Sequence, residues 1–134
     1  MRSAVQQFRP APSAAAVTHF ARRLSFETDC WDVHFALTEQ EQDFVLLDVR
    51  SPDLYAKGHL PKALSLPHSE ISRERLAEYP DETLFITYCS GPHCNGANRA
   101  ALRIARLDRP VKMMIGGVTG WLDEGFELVG DGGA

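Results

Sequence analysis

The passage from Thr83 to Leu107 constrains this 134-residue chain more than any other. Thr83-Leu84-Phe85-Ile86-Thr87-Tyr88 is an unbroken β-branched and aromatic run, as expected of a strand covered on both faces. A loop carrying Gly91, Pro92 and Gly96 follows. Beyond it, Ala97, Ala101, Ile104 and Ala105 share one helical face, and Arg99, Arg103 and Arg106 form a second stripe. That is an amphipathic helix lying back on the strand it follows. The same alternation recurs along the chain. Phe44 to Val49 reads as a buried strand, and Ser51-Pro52-Asp53 opens a short helical turn that stops at Gly58. Ala63 to Leu66 reads as a strand, Ser69 to Tyr79 as a helix ending at Pro80, and Val111 to Ile115 as another strand. Gly116-Gly117 makes a turn into a short helix with Trp121. Upstream, Ser13 to Leu24 and Trp31 to Gln40 read as helices, the second capped by Asp29. The expected fold is therefore α/β, with a mainly parallel central sheet flanked by helices. In such sheets the working site lies at the carboxyl ends of the strands.

Residues 1–12, with Pro10 and Pro12, are expected to form a flexible tail, 13–129 a single domain, and 130–134 a glycine-rich tail. With 44% hydrophobic and 24% charged residues the chain is too apolar to be disordered. A net charge of -4 gives no reason to expect nucleic acid or an anionic membrane as partner. No apolar run approaches a membrane span, and Met1 to Pro12 lacks the hydrophobic stretch of a secretory signal. The expected location is cytoplasmic. Three cysteines, Cys30 alone and Cys89 and Cys94 close together, do not suggest a structural disulfide framework. A cysteine pair in one loop points to chemistry instead.

The Cys89–Arg99 segment joins the strongest strand to the amphipathic helix. A helix N-terminus offers unpaired N–H groups and the positive end of its dipole, which favour a thiolate, the nucleophilic form of cysteine. Gly91 and Gly96 let the loop curl with its amides inward. Arg99 adds a fixed cation suited to the oxygens of thiosulfate, phosphate or arsenate. His93, beside Cys94, is either an imidazolium partner for the thiolate or a solvated loop residue. The bland alternative for Cys89 is a small core side chain. A zinc site from Cys89, His93 and Cys94 fits no common ligand spacing, so no metal is expected.

Leu46-Leu47-Asp48-Val49-Arg50, Tyr55-Ala56-Lys57-Gly58-His59-Leu60-Pro61-Lys62-Ala63, Tyr88-Cys89 and Ile115-Gly116-Gly117 with Trp121 occur in an order and at separations that resemble a rhodanese-like domain over about residues 25–128. The resemblance implies a sulfurtransferase without cofactor. A cysteine takes the sulfane sulfur of a small donor, thiosulfate or a persulfide. It then passes that sulfur to a thiol, cyanide or protein-cysteine acceptor. The active loop cradles the sulfur with its N–H groups, here those of Asn95, Gly96, Ala97 and Asn98, and an arginine closes it. In the family that arginine stands five residues after the cysteine, as Arg99 does after Cys94. The family's cysteine also usually follows the strand directly, as Cys89 does, so this chain has an insertion of about Ser90–His93 and two cysteines for one role. The spacing favours Cys94. Cys89 then acts as a support, or as a resolving thiol that attacks the Cys94 persulfide and releases sulfide; Cys89 as carrier in an enlarged loop stays open. Asp48, Arg50 and His59 match positions that are mainly architectural in the family.

Two further classes remain. Cell-cycle phosphatases and arsenate reductases share this fold, but the phosphatase loop needs C-x(5)-R, whereas Cys94 to Arg99 is C-x(4)-R and Ala100 replaces the hydroxyl residue that usually follows the arginine. The third class is a non-catalytic module in which Cys89 and Cys94 switch between dithiol and disulfide. Cys30, without glycine loop or arginine, reads as structural.

Overall fold

The structure, a computed structural model, describes residues 2–130. A five-stranded parallel sheet forms its centre, in the order β1-β5-β4-β2-β3. The strands are β1 (Glu27–Thr28), β2 (Val45–Asp48), β3 (Leu64–Ser65), β4 (Phe85–Tyr88) and β5 (Val111–Met114). The helices are α1 (Ser13–Phe26), α2 (Cys30–Glu39), α3 (Pro52–Lys57), α4 (Arg73–Leu76), α5 (Gly96–Arg106) and α6 (Gly117–Asp123). All four residues of β4 are buried, which is why its sequence shows no polar alternation.

Side chains alternate across the sheet and divide the core in two. On one face Leu47, Phe85, Leu76, Ala97, Ala100 and Ile104 pack under α4 and α5. On the other, Leu46, Ile86, Tyr88, Met114, Val33 and Trp121 pack under α2 and α6. Asp29 caps α2 by accepting the Asp32 N–H at 2.8 Å. The buried stripe of α5 is Ala97, Ala100 and Ile104, with Ala101 only half-buried and Ala105 exposed, so it is rotated from the one the spacing suggested.

One other expectation is corrected. The single helix over Ser69–Tyr79 is a 3-10 turn at His68–Glu70 followed by the four-residue α4. Ile71 between them is extended and buried, and Ser72 caps a fresh start by accepting the Arg75 N–H at 3.2 Å. Strand β1, two residues at the sheet edge, had no sequence signature; it exists through its pairing with Met113 and Met114. The loop cysteines are joined in a disulfide, one of the two states that the dithiol reading allowed. Helix α1 buries none of its side chains. Residues 2–12 are exposed, with one 3-10 turn at Ala4–Gln6, while Met1 and residues 131–134 of the two expected tails lie outside the described residues.

Candidate active site

Parallel alignment of β2 and β4 brings their carboxyl ends side by side, Asp48 opposite Tyr88. The residues that follow, Val49-Arg50 and Cys89-Ser90, therefore open into one cleft. The cleft has a volume of about 500 Å³ and is lined by Arg50, Pro67, His68, Glu70, Cys89, Cys94, Asn95, Gly96 and Arg99 among others.

Cys89 leaves β4 as a buried residue, 6% exposed. Cys94 is exposed, two residues before α5. The loop between them turns back through a Cys94 N–H···O=C Gly91 bond of 3.0 Å, and the two sulfurs are joined, with the Cα atoms 6.4 Å apart. The Gly96 N–H, in the first turn of α5, points at the Cys94 Sγ at 3.4 Å. That contact favours a negative sulfur, and the α5 dipole adds to it. Residue 96 must be small: a Cβ there would lie 2.9 Å from the Cys89 Sγ, 3.4 Å from the Cys94 Sγ and 3.6 Å from the His68 Cδ2. Thr87 ties β4 to the first turn of α5 by donating to the Ala97 carbonyl at 3.0 Å.

The loop is clamped from the far side by the start of α6. Val118 N–H donates to the Cys89 carbonyl at 3.0 Å, and Thr119 N–H to that of Ser90 at 2.9 Å. The Thr119 hydroxyl donates to the same Ser90 oxygen at 3.1 Å. The chain approaches so closely that a Cβ on Gly117, whose φ is +58°, would stand 2.5 Å from the Cys89 oxygen. Glycine is required there by conformation and by contact.

Of the residues singled out from sequence, Cys89, Cys94, Asn95, Gly96, Arg99 and Arg50 face the cleft. Ala97 is buried beneath it, and Asn98 and His93 are exposed without lining it. No hydrogen bond joins His93 to Cys94 among the described residues. Arg99 is exposed and makes no ion pair among the described residues, so its charge is free for an anion. Glu70, also at the cleft, is paired with Arg75 at 3.6 Å.

Arg50 is committed elsewhere. Its guanidinium donates to Asp48 at 2.6 and 3.0 Å and to the Gly58 carbonyl at 2.6 Å. Burial works against its charge, but the Asp48 bonds and charge outweigh it and the pKa is raised. Tyr88, buried and beside Asp48, has its pKa raised as well; it donates to Asp48 at 2.7 Å and accepts the Leu60 N–H at 3.1 Å. His59 lies outside the cleft. It stacks on Tyr55 with ring centroids 3.8 Å apart and shares a backbone pair with Val129. Cys30 donates to the Ile115 carbonyl, and burial with Asp29 and Glu124 nearby raises its pKa from 9.0 to about 11. It is an inert thiol at neutral pH.

Two residues escaped the sequence reading. His68 follows β3 into the cleft, its Nδ1 buried without a partner; its place after a parallel strand was the available signal. Thr119 had none, because its role depends on α6 meeting a loop distant in sequence. Among the described residues, no cluster of three or more His, Cys, Asp or Glu can hold a metal ion, and no helix is long and apolar enough to cross a membrane.

Comparison with known proteins agrees with this geometry. The chain is 38% identical over 80 residues to an HTH-type transcriptional regulator of Mycobacterium tuberculosis, covering 59% of this chain and 34% of that one. It thus spans about a third of that relative's length. It is 28% identical over 81 residues to a thiosulfate sulfurtransferase of Pseudoalteromonas translucida, covering 60% and 75% of the two chains. A solved Bacillus halodurans protein superposes with a TM-score of 0.87 at 35% identity, covering 91% of this chain and 89% of that one. The family described as rhodanese-like domain matches residues 34–124, and on that match the chain belongs to the rhodanese-like domain family.

Proposed function

We propose that this domain is a sulfurtransferase that carries a sulfane sulfur as a persulfide on Cys94. The observation that carries the reading is the exposed Cys94 sulfur, set on the Gly96 N–H at the start of α5, with the uncommitted Arg99 in the same cleft. With the loop reduced, the Cys94 thiolate attacks the outer sulfur of thiosulfate. The donor S–S bond breaks, and sulfite leaves with the electron pair. This is covalent nucleophilic catalysis. Arg99 binds the donor's oxygens as a charge-assisted partner, and the α5 amides stabilise the charge on the persulfide. An acceptor thiol, cyanide or protein cysteine then takes the terminal sulfur. Family membership and the similarity to a thiosulfate sulfurtransferase support the reading. The spacing C-x(4)-R makes a smaller ring than a tetrahedral phosphate needs, which weighs against phosphatase chemistry.

The test is sulfite release. Anaerobically reduced protein freed of reductant is mixed with thiosulfate and sulfite is measured. The wild type releases it and Cys94→Ser does not. Full sulfite release by Cys94→Ser, or turnover of an aryl phosphate in its place, refutes the proposal.

A further inference from the structure

We infer that the first nucleophile to attack the Cys94 persulfide is Cys89 of the same loop, which displaces the carried sulfur, so that the domain releases that sulfur as sulfide and draws its electrons from an external dithiol. The inference rests on Cys94 being the carrier, as proposed above.

The two loop thiols are placed unequally. Cys94 is exposed to a donor, whereas Cys89 is 6% exposed beneath it. A bulky donor or acceptor reaches Cys94 and not Cys89. Yet the two sulfurs sit within bonding reach of each other. They meet over Gly96, where any side chain would come between them and His68: a Cβ there would be 2.9 Å from one sulfur and 3.4 Å from the other. The loop is fixed at both ends, by Val118 and Thr119 on the Cys89-Ser90 carbonyls and by Thr87 on the first turn of α5. A persulfide on Cys94 therefore forms with a second thiol already held against its inner sulfur. Such pre-positioning makes an intramolecular attack far faster than encounter with a dilute acceptor.

The step balances without an added oxidant. The Cys89 thiolate attacks the Cys94 Sγ, and a Cys89–Cys94 bond forms. The bond from the Cys94 Sγ to the terminal sulfur breaks, and hydrosulfide leaves with the electron pair, taking up the proton that Cys89 gave up. The sulfane sulfur is reduced to sulfide and the two thiols are oxidised to the disulfide. For a further round, a dithiol reductant attacks the exposed Cys94 sulfur and expels the Cys89 thiol; its second thiol then clears the mixed disulfide.

A single-turnover experiment tests this. Reduced, desalted wild-type protein receives one equivalent of thiosulfate without free thiol; sulfite, sulfide and intact mass are measured, and the cysteine peptides mapped. The expected wild-type result is equal sulfite and sulfide and a mass lower by two hydrogens, mapped to Cys89–Cys94. Cys89→Ala is expected to release sulfite, no sulfide, and to gain one sulfur atom on Cys94. A wild type that releases sulfite but keeps the extra sulfur on Cys94, giving sulfide only after thiol is added, overturns the inference and leaves sulfur transfer standing. No sulfite from the wild type overturns both. The wild-type measurement decides the matter alone should Cys89→Ala fail to fold.

Discussion

Asp48→Ala tests the structural reading most sharply. The Asp48 carboxylate is fully buried. It accepts the Arg50 side chain at 2.6 to 3.1 Å, the Arg50 backbone N–H at 3.0 Å and the Tyr88 hydroxyl at 2.7 Å. Alanine leaves the Arg50 guanidinium buried with only the Gly58 carbonyl as partner, and the Tyr88 hydroxyl without its acceptor. Breaking a buried pair by removing one member costs about 3–5 kcal/mol. A chain of this length has an unfolding entropy of roughly 0.28 kcal/mol/K, so the melting temperature should fall by about 10–20 °C. Arg50→Met is milder, about 1–3 kcal/mol, because the carboxylate left behind keeps two donors, the backbone N–H at position 50 and the Tyr88 hydroxyl. The double variant should cost less than the two single costs together, since the stranded cation is gone. Urea unfolding of the reduced proteins, followed by circular dichroism, gives all three values. If Asp48→Ala costs under about 1 kcal/mol, or the two single effects simply add, Asp48 and Arg50 are not the coupled buried pair that their bonds indicate.

Three further outcomes are expected. Arg99→Gln should raise KM for thiosulfate about tenfold or more, in keeping with loss of a charge-assisted bond, and flatten its salt dependence; steady-state sulfite release at several ionic strengths reads both. Gly96→Ala places a Cβ 2.9 Å from the Cys89 Sγ; displacing the sulfurs should slow single-turnover sulfite release by about tenfold to a hundredfold, while far-ultraviolet circular dichroism stays that of a folded α/β domain. Cys30 favours the neutral thiol in the folded state, so its contribution is complete below pH 9.0 and is lost as the pH rises toward about 11. Stability of the reduced protein should therefore fall over that window, less so in Cys30→Ala, and iodoacetamide at pH 8 should spare Cys30 until denaturant is added.

What is legible in the sequence follows the strength of local signals. β4 and the strand at Phe44–Val49 declared themselves because burial on both faces forces a continuous apolar run. Edge strand β1 is Glu27-Thr28, a pair with no strand character of its own; Met113 and Met114 supply its partners. The break between His68 and Arg73 was hidden because Ile71 suits a helix and turns into the core for reasons of packing alone. The cysteine loop, Arg99 and the glycines were legible from spacing. That Cys89 lies under Cys94, that Arg50 is spent on Asp48, and that His68 enters the cleft all depend on strands far apart in the chain being laid side by side.

The clamp on the cysteine loop comes from residues well downstream: the Thr119 hydroxyl holds Ser90 across 29 positions. A ribosome has therefore finished both loop cysteines well before it has made the segment that braces them. Until that segment emerges, the loop lacks the Val118 and Thr119 N–H donors that hold its carbonyls. The loop is braced only once Gly117 closes on the Cys89 oxygen. A chain cut between the cysteine loop and Gly117 would keep Cys89 and Cys94 but lose both the brace and Trp121, which is fully buried in the core.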